Sequence, residues 1–238
     1  KKVLKSAIEK LAEIENKIKV EDAKKVALVG EIYVRRDAFS KSGLIEKMAE
    51  KDIIVKVSPA SEWIYYCDYI VKNRFSTGST ERDKYRTIVL TWFKEHFEKK
   101  IKKMFGKLEF YTPHMIDVEK VVKSAEGLIS PNLTGEAILT VGAAINEIVD
   151  ETSGVINIGP FGCMPSRMAE AVLNEKKKKK KSELTINDKE IQNTLKEFEH
   201  LPFISIEVDG SPFSQLVEAK LESFALQVER VHNHIKGI

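Results

Sequence analysis

Val26-Ala27-Leu28-Val29-Gly30-Glu31-Ile32-Tyr33-Val34 is an apolar run interrupted by a single carboxylate. A continuous run of this length reads as a buried strand of a parallel sheet, over 26–34. A polar loop follows, Arg35-Arg36-Asp37-Ala38-Phe39-Ser40-Lys41-Ser42, and then a helix from about Gly43 carrying Leu44, Ile45, Met48 and Ala49. Ile53-Ile54-Val55-Lys56-Val57 reads as a second strand, ended by Pro59. Residues 26–57 thus form one strand–helix–strand unit, which requires a crossover and a parallel pair.

The same alternation recurs further along. Gly154 to Gly159 predicts a third strand, followed by the turn Pro160-Phe161-Gly162-Cys163 and a helix from Pro165 to about Leu173. Phe203 to Val208 predicts a fourth strand, followed by the turn Asp209-Gly210-Ser211-Pro212 and a helix over about 213–234. Four strands, each followed by helix, predict a Rossmann-like three-layer α/β domain with a mostly parallel sheet. The commonest doubly wound solution places the first strand centrally, giving the order 2-1-3-4.

Between the second and third strands the chain makes a helical excursion, about residues 76–150. The preceding segment Ser61 to Phe75 reads as an apolar helix, with Ser61 as its N-cap and the loop Thr77-Gly78-Ser79-Thr80 after it. Helices are predicted over 81–104, 115–125, 136–150 and 187–199. The third of these is capped by Thr134 in the turn Thr134-Gly135-Glu136. Residues 1–22 form an amphipathic helix in front of a domain spanning 23–238.

Composition narrows the function classes. The chain has 238 residues, 42% hydrophobic and 32% charged, which excludes a disordered chain. No membrane-spanning run is visible. The net charge of +3 depends on one feature, the six lysines Lys176–Lys181. Of 39 basic residues six lie in that run, leaving 33 against 36 acidic residues, a net of −3. A nucleic-acid-binding surface is therefore not indicated. The lysine block itself reads as a solvated loop, because like charges repel and stay hydrated. Two cysteines cannot build a disulfide framework, and the default setting is cytoplasmic and reducing. The five histidines show no ligand pattern.

In open α/β sheets, ligands bind beyond the carboxyl ends of the strands where the strand order reverses. That rule brings Glu31, Arg35, Arg36 and Asp37 beside Cys163 and Ser166, with Asp209 next door. Cys163 sits between a glycine turn and a helix N-terminus, where backbone N–H groups and the helix dipole stabilise a thiolate. It reads as a nucleophile or metal ligand, or as a small residue filling a tight turn. Arg35 and Arg36 read as a solvated pair, as partners of Asp37, or as anion binders. Glu31 is either bonded to the neighbouring loop or functional. Cys67 is a core thiol among Trp63, Tyr66 and Tyr69, or a ligand. Thr134 and Glu136 are capping residues or crevice residues. Gly159-Pro160-Phe161-Gly162 is neither a Walker loop nor a dinucleotide fingerprint.

Several segments together carry a resemblance. They are Val29-Gly-Glu-Ile-Tyr-Val-Arg-Arg-Asp-Ala-Phe39, Ser61-Glu-Trp-Ile-Tyr-Tyr-Cys67, Asn132-Leu-Thr-Gly-Glu136, Gly159-Pro-Phe-Gly-Cys-Met-Pro-Ser-Arg167 and Ile206-Glu-Val-Asp-Gly-Ser-Pro-Phe213. The chain resembles the 2-hydroxyacyl-CoA dehydratase family, in its branch related to CoA-substrate-specific enzyme activases. Double-cubane-cluster reductases are cousins. The resemblance implies an oxygen-sensitive iron–sulfur protein with two Rossmann-like lobes and a 4Fe–4S-type cluster between them. It implies an ATP-hydrolysing activase domain as partner and a CoA ester as substrate. In that family the cysteine of the Pro-Phe-Gly-Cys loop supplies a cluster thiolate, and Cys163 matches it. Cys67 lies where related sequences also carry a cysteine. A cluster takes three or four thiolates, and this chain has two. The expectation is a C-terminal lobe whose upstream lobe supplies the rest, in line with the absent initiator Met. Two alternatives carry no cluster: a non-catalytic module that docks the activase domain, and an enzyme using Cys163 as nucleophile.

Overall fold

The element order in a computed structural model of the chain is α1 (Lys2–Ala12), β1 (Lys24–Gly30), α2 (Ala38–Lys41), α3 (Leu44–Ala49), β2 (Ile53–Val57), α4 (Ser61–Lys72), α5 (Glu81–Phe105), α6 (Val118–Ser124), α7 (Glu136–Glu147), β3 (Val155–Pro160), α8 (Met164–Leu184), α9 (Lys189–Glu197), β4 (Phe203–Val208) and α10 (Gln215–Lys236). The structure describes every residue except 1, 16, 17, 74, 76, 77, 79, 109, 110, 112 and 113. The expected loop at 77–80 therefore falls partly outside the described residues.

The chain divides into two compact units. The first holds residues 1–23 and 61–117; the second holds 24–60 and 118–238. Of the excursion between β2 and β3, α4 and α5 belong to the first unit and α6 and α7 to the second.

In the first unit α4 and α5 are joined by polar contacts. Thr91 Oγ1 donates to Asp68 Oδ2 at 2.8 Å, and Lys94 Nζ lies 2.8 Å from the same carboxylate. Tyr65 Oη donates to Glu98, which also pairs with Lys102. A reciprocal capping box between Thr80 and Asp83 starts α5.

The second unit carries the sheet. Its four strands are all parallel, in the order β2-β1-β3-β4, with helices on both faces. Strand alternation sorts the core. Val26, Leu28, Ile156, Ile158, Ile204 and Ile206 pack with Leu44 and Met48 of α3 and with Leu221, Phe224 and Val228 of α10. α7 and α8 cover the sheet's other side, where Ala27, Val29 and Asn157 point. Burying this core is the chief favourable term for the unit. The Rossmann-like α/β fold and its strand order are those the sequence predicts. Among the described residues no helix is long and apolar enough to cross a membrane.

Four local expectations are corrected. The helix expected over 1–22 ends at Ala12. The first strand stops at Gly30 rather than continuing to Val34. Gly30 has φ of 108°, outside extended geometry. The chain then coils, with Arg35 N bonded to the Glu31 carbonyl and Asp37 N to the Tyr33 carbonyl. The lysine run is helix, not a solvated loop. α8 continues through it to Leu184, because lysine is a good helix former. Its buried stripe Ser166, Ala169, Leu173, Lys177, Lys181 also extends through the block. The aliphatic stems of the last two act as apolar surface. Finally, Thr134 does not cap α7. Gly135 occupies that position, and no side chain caps it.

Candidate functional site

The switch point lies between β1 and β3, the two central strands from which the chain winds outward in opposite directions. Parallel pairing puts the loops after β1, β3 and β4 at the same end of the sheet. Glu31 to Asp37, Phe161 to Ser166 and Asp209 to Ser211 therefore lie along one edge.

At Gly30 the approach of β1 to its neighbour β3 is tight. A Cβ on Gly30 would stand 2.1 Å from the Ile158 carbonyl oxygen and 2.8 Å from Asn157 Oδ1. Only glycine allows that approach. Asn157 itself is completely buried. Its Nδ2, with two hydrogens to share, lies 3.2 Å from the Ser166 carbonyl, 3.1 Å from Ser166 Oγ and 3.0 Å from Ser205 Oγ. One amide thus pins the first turn of α8 to β3 and β4. Ser166 is buried in this role and is a positioning residue for the loop.

Cys163 is half-buried at the N-cap of α8. Its N–H donates to the Pro160 carbonyl at 3.1 Å, and its own carbonyl accepts from Arg167 N at 3.0 Å. The thiol makes no capping bond. The turn before it is held from β4: Phe161 N donates to the Val208 carbonyl and Gly162 N to Glu207 Oε1. The N–H and carbonyl of Cys163 are thus both engaged, and its thiol takes no part in capping.

On the β1 side the charged residues serve the backbone. Arg35 is buried and its guanidinium donates to the Gly30 carbonyl at 3.0 Å. Arg36 reaches the Ser58 carbonyl beyond β2 at 3.0 Å. Partial burial, then the neighbouring Arg35 charge, pulls the Arg36 pKa down. Glu31 Oε2 accepts from Val34 N at 2.7 Å, and Glu136 Oε1 accepts from Ile32 N at 3.2 Å. Burial first, and then Glu31, raises the Glu136 pKa; the Ile32 N–H and Arg35 oppose it. Glu31, Arg35 and Glu136 are therefore one electrostatic cluster at the end of β1.

Asp37 caps α2, accepting from Ser40 N at 2.7 Å and from its hydroxyl at 2.8 Å, which holds its pKa down. Asp209 closes an exposed turn on Ser211, with the same direction of shift. Thr134 is exposed beside the start of α7. Cys67 belongs to the first unit, exposed on α4 rather than enclosed by the neighbouring aromatic rings. Partial burial and then Asp68 push its thiol pKa up, which disfavours the thiolate.

Two residues of consequence escape the reading of the sequence alone. Asn157 carries a legible signal, an amide inside an otherwise apolar strand. Lys177 carries another, its position four residues after Leu173 on the buried stripe of α8.

Among the described residues no group of three or more His, Cys, Asp or Glu side chains is placed to hold a metal ion. The sheet-bearing unit contributes one thiol, Cys163. The donor set suits one ligand of an iron–sulfur cluster and not a complete shell. No protein-family model, curated protein or solved structure matches the chain.

Proposed function

We propose that this chain is the C-terminal Rossmann-like lobe of a dehydratase-like, activase-related iron–sulfur protein. Its part is to present the Cys163 thiolate to a 4Fe–4S-type cluster completed by ligands from a second lobe. The observation that carries this reading is the placement of Cys163: at the switch point, at the N-terminus of a 21-residue helix, with its sulfur outside the capping network. Asn157 and Ser166 fix the helix that carries it. Arg35 and Arg36 hold the facing loop, and Glu31 with Glu136 sets the charge at its rim. When bound, such a cluster supplies one electron at a time at low potential. An ATP-hydrolysing activase domain would deliver those electrons, and a CoA ester would be the substrate of the reductive chemistry.

The test is anaerobic reconstitution of the whole protein with iron and sulfide, comparing wild type with Cys163→Ala. The expected result is loss of iron and sulfide in the variant. Equal cluster content would remove Cys163 from the role.

A second reading has its own observation. α5 exposes Tyr85, Val89, Trp92, Phe93 and Phe97 on its surface. Exposed apolar surface of this extent is characteristic of an interaction site. In this reading the chain docks the activase ATPase domain without holding metal. A metal-free pull-down with that domain, weakened by Trp92→Ala with Phe97→Ala, would support it; undiminished capture would exclude it.

A further inference from the structure

The cleft between α8 and α9 has a volume of about 820 Å³, within the range of small-molecule sites. Leu195 and Leu201 supply apolar walls, while Lys177, Lys178, Lys179 and Lys196 bring positive charge to it. Glu175, Glu183 and Glu199 also line it, and Glu175 pairs with Lys176. Gln192 is also committed, donating to the Ser182 and Thr185 carbonyls.

Lys177 is the unusual member. Only 7% of it is exposed. Its ammonium stands 5.3 Å from the centroid of the Phe203 ring. Among the described residues it has no hydrogen bond or ion pair, and its ammonium rests against the ring face. Lys181, one turn further along, shows what a buried lysine ordinarily requires. It holds Asp150 at 2.9 Å and two main-chain carbonyls at 3.0 Å. Burial lowers the Lys177 pKa with nothing opposing it, whereas Asp150 opposes the same effect at Lys181. A lysine with a buried stem at the wall of an open cleft, and with no counter-charge of its own, is available to pair with an anion there.

We propose that the α8–α9 cleft binds a small organic anion, a carboxylate or phosphate monoester with a short apolar body. The headgroup pairs with Lys177 Nζ, and Lys178 and Lys196 add long-range attraction. The apolar body lies against Leu195 and Leu201. The charge-assisted bond forms in a partly desolvated place, so it is stronger than a surface pair. The site does not involve Cys163 and stands whether or not a cluster is bound.

The experiment titrates the ¹⁵N-labelled chain with benzoate and, separately, with phenyl phosphate. The expected result is saturable shifts of amides within 174–183 and 192–201 for at least one of the two, and the one that binds identifies the headgroup. Lys177→Met should weaken that binding about tenfold or more, the scale of one lost charge-assisted bond. Lys177→Arg should keep it within about threefold, since the charge remains. Three results overturn the proposal: no saturable shift with either probe up to about 10 mM, beyond the weak end of specific affinity; shifts spread over lysines elsewhere; or equal binding by Lys177→Met. Should Lys177→Met not fold, the wild-type shift map and Lys177→Arg decide the matter.

Discussion

Lys181 Nζ lies 2.9 Å from Asp150 Oδ2 and donates to the carbonyls of Ile145 and Asn146 at 3.0 Å. One lysine of a six-lysine block thus closes the C-terminal end of α7. Main-chain carbonyls in the last turn of a helix have no partner within the helix, and a cation there also suits its dipole.

Truncating that side chain should therefore be costly, although its neighbours in the block look the same in sequence. Lys181→Ala is expected to lower unfolding stability by about 2–3 kcal/mol, since it strands buried acceptors and leaves Asp150 without its partner. Lys179→Ala, on the exposed face, should change it by less than about 0.5 kcal/mol. Urea unfolding of the two variants checks this; equal effects would show that Lys181 does not close α7.

The contrast explains what a sequence can and cannot disclose. The apolar run at Val26–Val29 and the nearly apolar one at Val155–Ile158 are legible as strands, because β-branched and aliphatic composition suits a strand buried on both faces. Their order follows from a general rule of doubly wound sheets. The lysine block misleads because charge density speaks of solvation, while the stripe through Ala169, Leu173, Lys177 and Lys181 speaks of packing. The stripe is visible only if a lysine stem is counted as apolar. The strand end at Gly30 is obscured in the same way. Ile32 and Val34 continue the apolar pattern, but the backbone leaves extended geometry at the glycine. The candidate site is legible as a neighbourhood, through the switch-point rule. The engagement of Arg35 with the Gly30 carbonyl is not, because main-chain partners leave no mark in sequence.

Gly30 makes the next prediction. Its φ is 108°, and a Cβ added there would come within 2.1 Å of the Ile158 oxygen, which leaves no relaxed solution for alanine. Gly30→Ala should cost at least about 3 kcal/mol, from strain and from separation of β1 and β3. Gly162 also has positive φ, 71°, but a Cβ there would meet nothing within 4 Å. Gly162→Ala should cost about 1–2 kcal/mol, the left-handed penalty alone. Thermal unfolding of both variants separates close approach from conformation; similar losses would refute the difference.

Glu136 should leave a signature in the pH dependence of stability. Its folded pKa is raised above the ordinary glutamate value, so the folded state binds more protons than the unfolded one between the two values. Stability contributed by this group is therefore full below the unfolded pKa and declines as pH rises through the folded pKa. Glu136→Gln keeps an oxygen acceptor for Ile32 N and removes the charge. The variant should gain on wild type as pH rises from about 4 to neutrality and show no gain in acid, where the wild-type carboxyl is protonated anyway. Parallel stability profiles of the two proteins over that range would contradict the shift.

The last prediction concerns Lys56, which sits between two carboxylates. Its Nζ is 3.2 Å from Glu147 Oε1, and it also pairs with Glu151. Burial alone would lower the Lys56 pKa, but Glu147 and then Glu151 outweigh it and raise it. Glu147 is the buried partner, pushed up by desolvation and held back by Lys56. Lys56→Met removes the restraint, so the folded pKa of Glu147 should climb further. A folded pKa above the unfolded one means stability lost with rising pH, and the variant widens that window upward. The loss caused by Lys56→Met should therefore be larger at pH 8 than at pH 5, reaching about 2–4 kcal/mol for a carboxylate left buried without its cation. Adding Glu147→Gln to the same chain should recover most of it, because no charge then needs the partner. A loss independent of pH, or one that Glu147→Gln fails to relieve, would assign the role of Lys56 to packing of its stem against the sheet.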